Sequence, residues 1–235
     1  LPLVFSKKNL VKKERSHGDG LSIDLNSPEA FDEFFFNCDL KFIRKELLNY
    51  ISLILKSQNK NKYLSKNNLN YKRIDLINSI FPNACFLITI REPLQQSFSL
   101  LNQHLNFTKL NEKDKFIERY MRYLGHYEFG PNHQSWNEPK KYNEYKNINY
   151  WLEQWLMFYE NIFEKLFNKK NCFFLIYEKL QNENYLKSIL ERIKINKKLI
   201  KNFKHFKNSN KNNLNLSFNE DLYKNCLNIY KKFDI

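Results

Sequence analysis

An arginine, a proline and a serine at fixed spacing carry the clearest chemical signal in the chain. The stretch REPLQQSFSLLNQH, residues 91 to 104, follows directly on the apolar run ACFLITI, residues 84 to 90. Such a run reads as a strand of a parallel sheet covered on both faces, and Pro93 suits the first turn of a helix. Arg91 then stands at the strand's carboxyl end, where open α/β sheets bind ligands. Its forked guanidinium matches phosphate oxygens, and the helix start behind it should add unpaired N–H groups and a positive dipole end. Ser99 falls on the order of 130° from the apolar stripe Leu94, Phe98, Leu101 and Leu105, beside Gln95 and Gln103, and is free to bond a ligand. The chemistry expected of this stretch is the grip of an anion. Taken alone, the pattern fits equally well an arginine that caps a neighbouring element and a serine that is merely solvated.

The elements that must hold these residues follow from periodicity. A second apolar run, NCFFLIY at residues 171 to 177, equals the first. Between and after the runs, Trp151, Trp155, Phe158, Ile162 and Leu166, then Leu186, Ile189 and Ile193, then Leu222, Cys226, Ile229 and Phe233 recur at helical spacing. Strands alternating with helices predict an α/β fold with a parallel sheet flanked by helices. Upstream, Ser27-Pro28-Glu29 with Phe31, Phe34 and Phe35 reads as a capped helix start. Further helices are expected over about Leu40 to Leu55 and over residues 70 to 80, and KYLS, residues 62 to 65, reads as a short strand. Residues 125 to 146 hold two of the four glycines without a clear period, which predicts a long loop or lid.

Composition bounds the rest. The 235 residues suit a single domain spanning 1 to 235, and 42% hydrophobic with 16% aromatic residues supplies a core. The 39 Lys plus Arg against 25 Asp plus Glu leave +14, which favours anionic partners, although a chain rich in Lys, Asn and Ile throughout reaches that charge without selection for binding. The cysteines, Cys38, Cys85, Cys172 and Cys226, form no CxxC pair, so neither a disulfide framework nor a zinc site is expected. No run approaches the ~18 apolar residues of a membrane span, and no signal peptide opens the chain. A cytoplasmic location is expected, with the reservation that the chain starts at Leu1 rather than Met.

Ordered landmarks make the chain resemble the sulfotransferase family. YLSKNNLNYKRIDLINSIFPNACFLITIREP, residues 63 to 93, is similar to that family's lysine-bearing strand end, helix, FP turn, and strand ending in the arginine that binds the donor's 3′-phosphate. Tyr177-Glu178-Lys179-Leu180 is similar to the family's YEDL element, whose tyrosine lies near the adenine. ERSHGDG with SPEAFDEFFF, and RYMRYLGHYEFGPNH with YWLEQW, look like a bacterial subgroup. The resemblance implies a P-loop nucleotide-kinase-like architecture and 3′-phosphoadenylyl sulfate (PAPS) as donor. It also implies that Arg91 and Ser99 bind the 3′-phosphate, that Tyr177 lies by the base, and that Lys66 stabilises charge on the departing group. The family's Ser/Gly/Thr-rich loop, a nest of backbone N–H groups for the 5′-phosphosulfate, has no counterpart here, where the first glycine is Gly18. The expectation is a chain cut before Leu1 and inactive by itself, with a degenerate, non-catalytic relative as the alternative.

Sulfuryl transfer needs a base near the acceptor hydroxyl or amine and cations near the leaving oxygen. His17, flanked by Gly18 and Gly20, is the first choice as base, with Asp19 and Glu14 as substitutes. His126, Glu128 and His133 lack a fixed metal-ligand spacing, and no metal is expected. Two rival readings remain at this point. A P-loop phosphotransferase would share the architecture but need an acidic Mg²⁺ motif, which is missing after the strands, and a non-catalytic polyanion-binding module would need a continuous basic stripe. A specific nucleic-acid partner is not expected, and the acceptor is not legible.

Overall fold

In the computed structural model, residues 13–14, 22–23, 40–66, 68–115, 118–119, 122, 127–195 and 217–233 are described. The chain divides into two compact units, residues 1–72 and 73–235. The first contains a short antiparallel pair, β1 (Lys13–Glu14) with β2 (Ser22–Ile23), and the helix α1 (Leu40–Ser57). Ile43 and Leu47, one turn apart, are buried. The expected strand at KYLS is absent: residues 62 to 66 are irregular, and Leu64 is 87% exposed. A strand's side chains need a surface to pack on, and the large apolar side chain of this segment, Leu64, stands in solvent instead. A 3₁₀ turn, Asn68–Arg73, leads out of it. The expected helix start at Ser27 lies outside the described residues.

The second unit opens with α2 (Ile74–Ile80) and then pairs the two apolar runs, as β3 (Phe86–Ile90) and β4 (Cys172–Ile176). The pair is parallel and in register from Phe86 opposite Cys172 to Ile90 opposite Ile176. Asn171 secures the amino ends: its carbonyl accepts from the Phe86 N–H at 2.9 Å, and its amide donates to Asn78 Oδ1 at 2.9 Å and to the Ala84 carbonyl at 3.1 Å. Parallel strands need a long crossover, and this one contains α3 (Pro93–Lys113) and α4 (Ile148–Leu166).

Two more helices follow, α5 (Glu183–Arg192) and α6 (Glu220–Phe233). Because side chains alternate across a strand, β4 is covered on both faces. Phe173 and Leu175 meet Leu186, Ile189 and Ile193 of the α5 region, while Phe174 meets Phe167 and Phe233. β3 departs from the expected double coverage: Leu87 is 43% exposed, whereas the α5 region packs on Phe173 and Leu175 of β4.

α3, α4 and α6 pack against one another. α4 buries Tyr150, Trp151, Leu152, Trp155, Tyr159, Ile162 and Leu166. α3 turns a different face inward from the expected stripe. Its buried line is Pro93, Ser97, Leu101, His104 and Asn111, whereas Leu94, Phe98 and Leu105 are only half-buried. The two faces share Leu101, and the aromatic mass of α4 accepts small and polar side chains in between. No described helix is long and apolar enough to cross a membrane.

Residues 127 to 147 carry neither helix nor strand, yet this segment is strapped down rather than loose. Gln154, fully buried, accepts from the Asn137 N–H at 3.0 Å and donates to the Asn137 carbonyl at 2.9 Å. The buried Glu153 carboxylate accepts from the backbone N–H groups of Lys140 and Lys141 at 3.0 and 3.1 Å. Trp151 Nε1 donates to the Tyr145 carbonyl at 2.9 Å, and His133 Nε2 is hydrogen-bonded to Tyr150 Oη at 2.7 Å. Gly130, at φ +87°, lets the strap turn against α3, where an added Cβ would stand 2.9 Å from Asn111 Nδ2.

Candidate anion-binding cleft

The register of β3 and β4 explains where the arginine and tyrosine meet. Ile90 and Ile176 are the last pair, so Arg91 and Tyr177 are the next residues out of adjacent strands spaced about 4.8 Å apart. The Arg91 guanidinium carbon lies 5.0 Å from the centre of the Tyr177 ring, a cation–π contact. Tyr177 is held by the 3₁₀ turn Tyr177–Lys179, and Tyr185 Oη accepts the Ile176 N–H at 2.8 Å just before it.

Arg91 and Tyr177 line one cleft with Thr89, Gln96, Ser99 and Leu100, about 230 Å³ in volume. Ser99 is exposed, two turns into α3, and Arg91 is half-buried. Gln96, three residues before Ser99, shares its face of the helix. Its Oε1 accepts from Trp155 Nε1 at 3.0 Å and from Tyr159 Oη at 3.2 Å, and Tyr159 Oη also reaches the Thr89 carbonyl at 3.0 Å. Burial drives the Tyr159 phenol pKa far above its ordinary value, so it remains a donor. With the Gln96 oxygen committed to α4, the capacity left on its amide is that of a donor.

The start of α3 differs from the vacant dipole end expected of it. Glu92 is its N-cap: Oε2 accepts the Gln95 N–H at 2.7 Å, and the Glu92 carbonyl accepts from the Gln96 N–H at 2.9 Å. A carboxylate of the chain itself therefore occupies the favourable anion position at the helix end. The groups in the cleft that could hold an anion are the guanidinium of Arg91, the hydroxyl of Ser99 and the amide of Gln96. Gln96 was within reach of the sequence, since helical spacing from Ser99 selects it, but the apolar-stripe pattern pointed instead to Gln95 and Gln103.

Lys66 is exposed in the first unit and ends none of the described strands, whereas Arg91, Ser99 and Tyr177 belong to the second. His17 and Asp19 lie outside the described residues, as does His126. His133 is buried among aromatic rings, with Tyr145 at 4.8 Å and Trp151 at 5.1 Å between ring centres. Among the described residues, no three His, Cys, Asp or Glu side chains group as a metal site.

No curated protein and no solved structure matches the chain significantly. A family model described as Sulfotransferase family matches residues 5–197, which takes in α1 to α5, both strands of the parallel pair and the whole cleft. Covering well over half of the 235 residues, that match shows that the chain belongs to the sulfotransferase family.

Proposed function

We propose that the cleft binds the 3′-phosphate end of PAPS, the nucleotide from which the enzyme transfers a sulfuryl group to a hydroxyl or amine acceptor. The observation that carries this is the convergence of Arg91, Ser99 and Tyr177 on one cleft at the carboxyl end of a parallel strand pair. A volume of about 230 Å³ is smaller than the ~300–1,000 Å³ of sites that enclose a whole drug-sized ligand. It suits a phosphate and its sugar edge rather than the whole nucleotide. Arg91 supplies a permanent charge and a two-pronged fork to the phosphate oxygens, Ser99 a hydroxyl, and Tyr177 a ring edge beside the base. These groups bind and orient the donor and take no part in bond making. The pair β3–β4 is, in this reading, part of a P-loop nucleotide-kinase-like sheet.

At the reacting end the acceptor oxygen or nitrogen attacks sulfur in line, the bond from sulfur to the bridging oxygen breaks, and adenosine 3′,5′-bisphosphate leaves with the electron pair. We assign Lys66 to the charge on that leaving oxygen and His17 to the acceptor proton, roles that rest on sequence alone. No stretch of the 235 residues supplies a Ser/Gly/Thr-rich loop for the 5′-phosphosulfate. The chain is therefore expected to bind the nucleotide without turnover, and transfer of labelled sulfate by it would refute that expectation.

Titration calorimetry tests the site. Adenosine 3′,5′-bisphosphate should bind and adenosine 5′-phosphate should bind far more weakly. Arg91→Ala should cost about tenfold to a hundredfold in affinity and Ser99→Ala about threefold to tenfold, as expected for charge-assisted and neutral hydrogen bonds. Equal binding of the two nucleotides by the unaltered chain would sink the assignment.

A further inference from the structure

The last helix, α6, lies beyond the family-matched span, yet it reaches both loops of the cleft. Tyr223 and Tyr230 are two turns apart and share a face. Tyr223 Oη donates to Glu92 Oε1 at 2.8 Å, and Tyr230 Oη donates to Glu178 Oε2 at 2.7 Å. The other oxygen of Glu178 accepts the Glu92 backbone N–H at 2.9 Å, and the other oxygen of Glu92 caps α3 through Gln95. Glu92 directly follows Arg91, and Glu178 directly follows Tyr177. The two residues adjoining the arginine–tyrosine stack are thus tied to each other and, separately, to one helix. That helix is itself anchored, since Cys226, Ile229 and Phe233 are buried and Phe233 packs on Phe163, Phe167 and Phe174.

We propose that Tyr223 and Tyr230 are positioning residues for the donor site, a brace that sets the loops presenting Arg91 and Tyr177 before the nucleotide arrives. This rests on the donor-site reading above. A phosphate contact made by a guanidinium already in place costs less ordering on binding, and a rigid helix is a better support for it than a second loop. Desolvation, followed by the Glu92 carboxylate, raises the Tyr223 phenol pKa well beyond its usual range, so it keeps the proton that it donates.

Tyr223→Phe and Tyr230→Phe remove only the hydroxyls, and Glu178→Gln weakens the same brace from its other side. Without any ligand, amide hydrogen exchange in peptides covering residues 91–97 and 177–181 should speed up about threefold to tenfold in each variant, while residues 226–233 keep their protection. Unchanged exchange in both peptides overturns the brace, whether or not a nucleotide binds. Affinity for adenosine 3′,5′-bisphosphate should fall about threefold to tenfold per tyrosine, and the loss should shrink in an Arg91→Lys background, because the brace acts through Arg91. An equal loss in that background would mean general loosening and would overturn the positioning role. Failure of the unaltered chain to bind the bisphosphate would remove the donor site and that role with it, leaving exchange to decide the brace alone.

Discussion

His104 is 4% exposed on the inner face of α3, with ring centres of His133, Trp151 and Tyr145 within 6.0 Å. Desolvation first, then the charges of His133 and Lys146, bring its pKa down to about 4, and burial also lowers that of His133. An imidazole whose folded value lies below the unfolded ~6.5 contributes stability that is complete above that unfolded value. The contribution is lost as pH falls from there toward 4, at about 1.4 kcal/mol per pH unit for one such group. Urea unfolding between pH 6.5 and 5 should therefore show a falling midpoint, and His104→Phe should flatten the slope whatever its effect at pH 7. A slope identical in both proteins would mean that the imidazole titrates as it does in water. At this scale the meeting of Arg91 with Tyr177 was legible, because strand ends are marked in the sequence by where an apolar run stops. His104 was not: a pattern built from apolar residues passes over a histidine that aromatic neighbours bury.

Among the elements, the strap shows how a buried charge can be satisfied by backbone alone. Glu153 is 7% exposed and accepts from two well-placed N–H groups of the strap, with that of Tyr142 more distant at 3.4 Å. Hydrogen bonds to a charged acceptor contribute about 1.5–3 kcal/mol each, so Glu153→Gln, which keeps the shape, should destabilise the protein by roughly 2 kcal/mol in urea. Amides of residues 140 to 142 should exchange faster in that variant. A loss below about 0.5 kcal/mol would mean that water already shares the carboxylate. The long loop was readable from its glycines and lack of period, but its anchoring was not. Glu153 and Gln154 sit between Leu152 and Trp155 and look like the polar side of an amphipathic helix, until a strap covers that side. The short strand expected at KYLS did not form, since residues 62 to 66 are irregular and Leu64 turns to solvent.

Across the whole molecule, the C-terminal helix was visible as a pattern and invisible as a brace. The spacing of Leu222, Cys226, Ile229 and Phe233 declares a helix, whereas the contact of Tyr223 with Glu92, 131 residues earlier, is a matter of tertiary fold. Its seating has a chemical signature. Cys226 is fully buried, its thiol pKa pushed up to about 12 by desolvation, and Cys172 is buried as well, whereas Cys85 is exposed. With Cys38 replaced by Ser, a charged thiol reagent should label Cys85 in the native protein and reach Cys172 and Cys226 only on unfolding. Prompt modification of Cys226 would show that the helix leaves its seat.

The last matched pair of the parallel strands, Ile90 opposite Ile176, has one more consequence. Gains or losses of chain in the long crossover between the strands leave the meeting of guanidinium and phenol ring untouched. A single residue gained or lost inside either five-residue strand reverses which side of the sheet the next side chain leaves from. The meeting of Arg91 with Tyr177 is in that sense written as parity: it depends on whether a count of residues is odd or even.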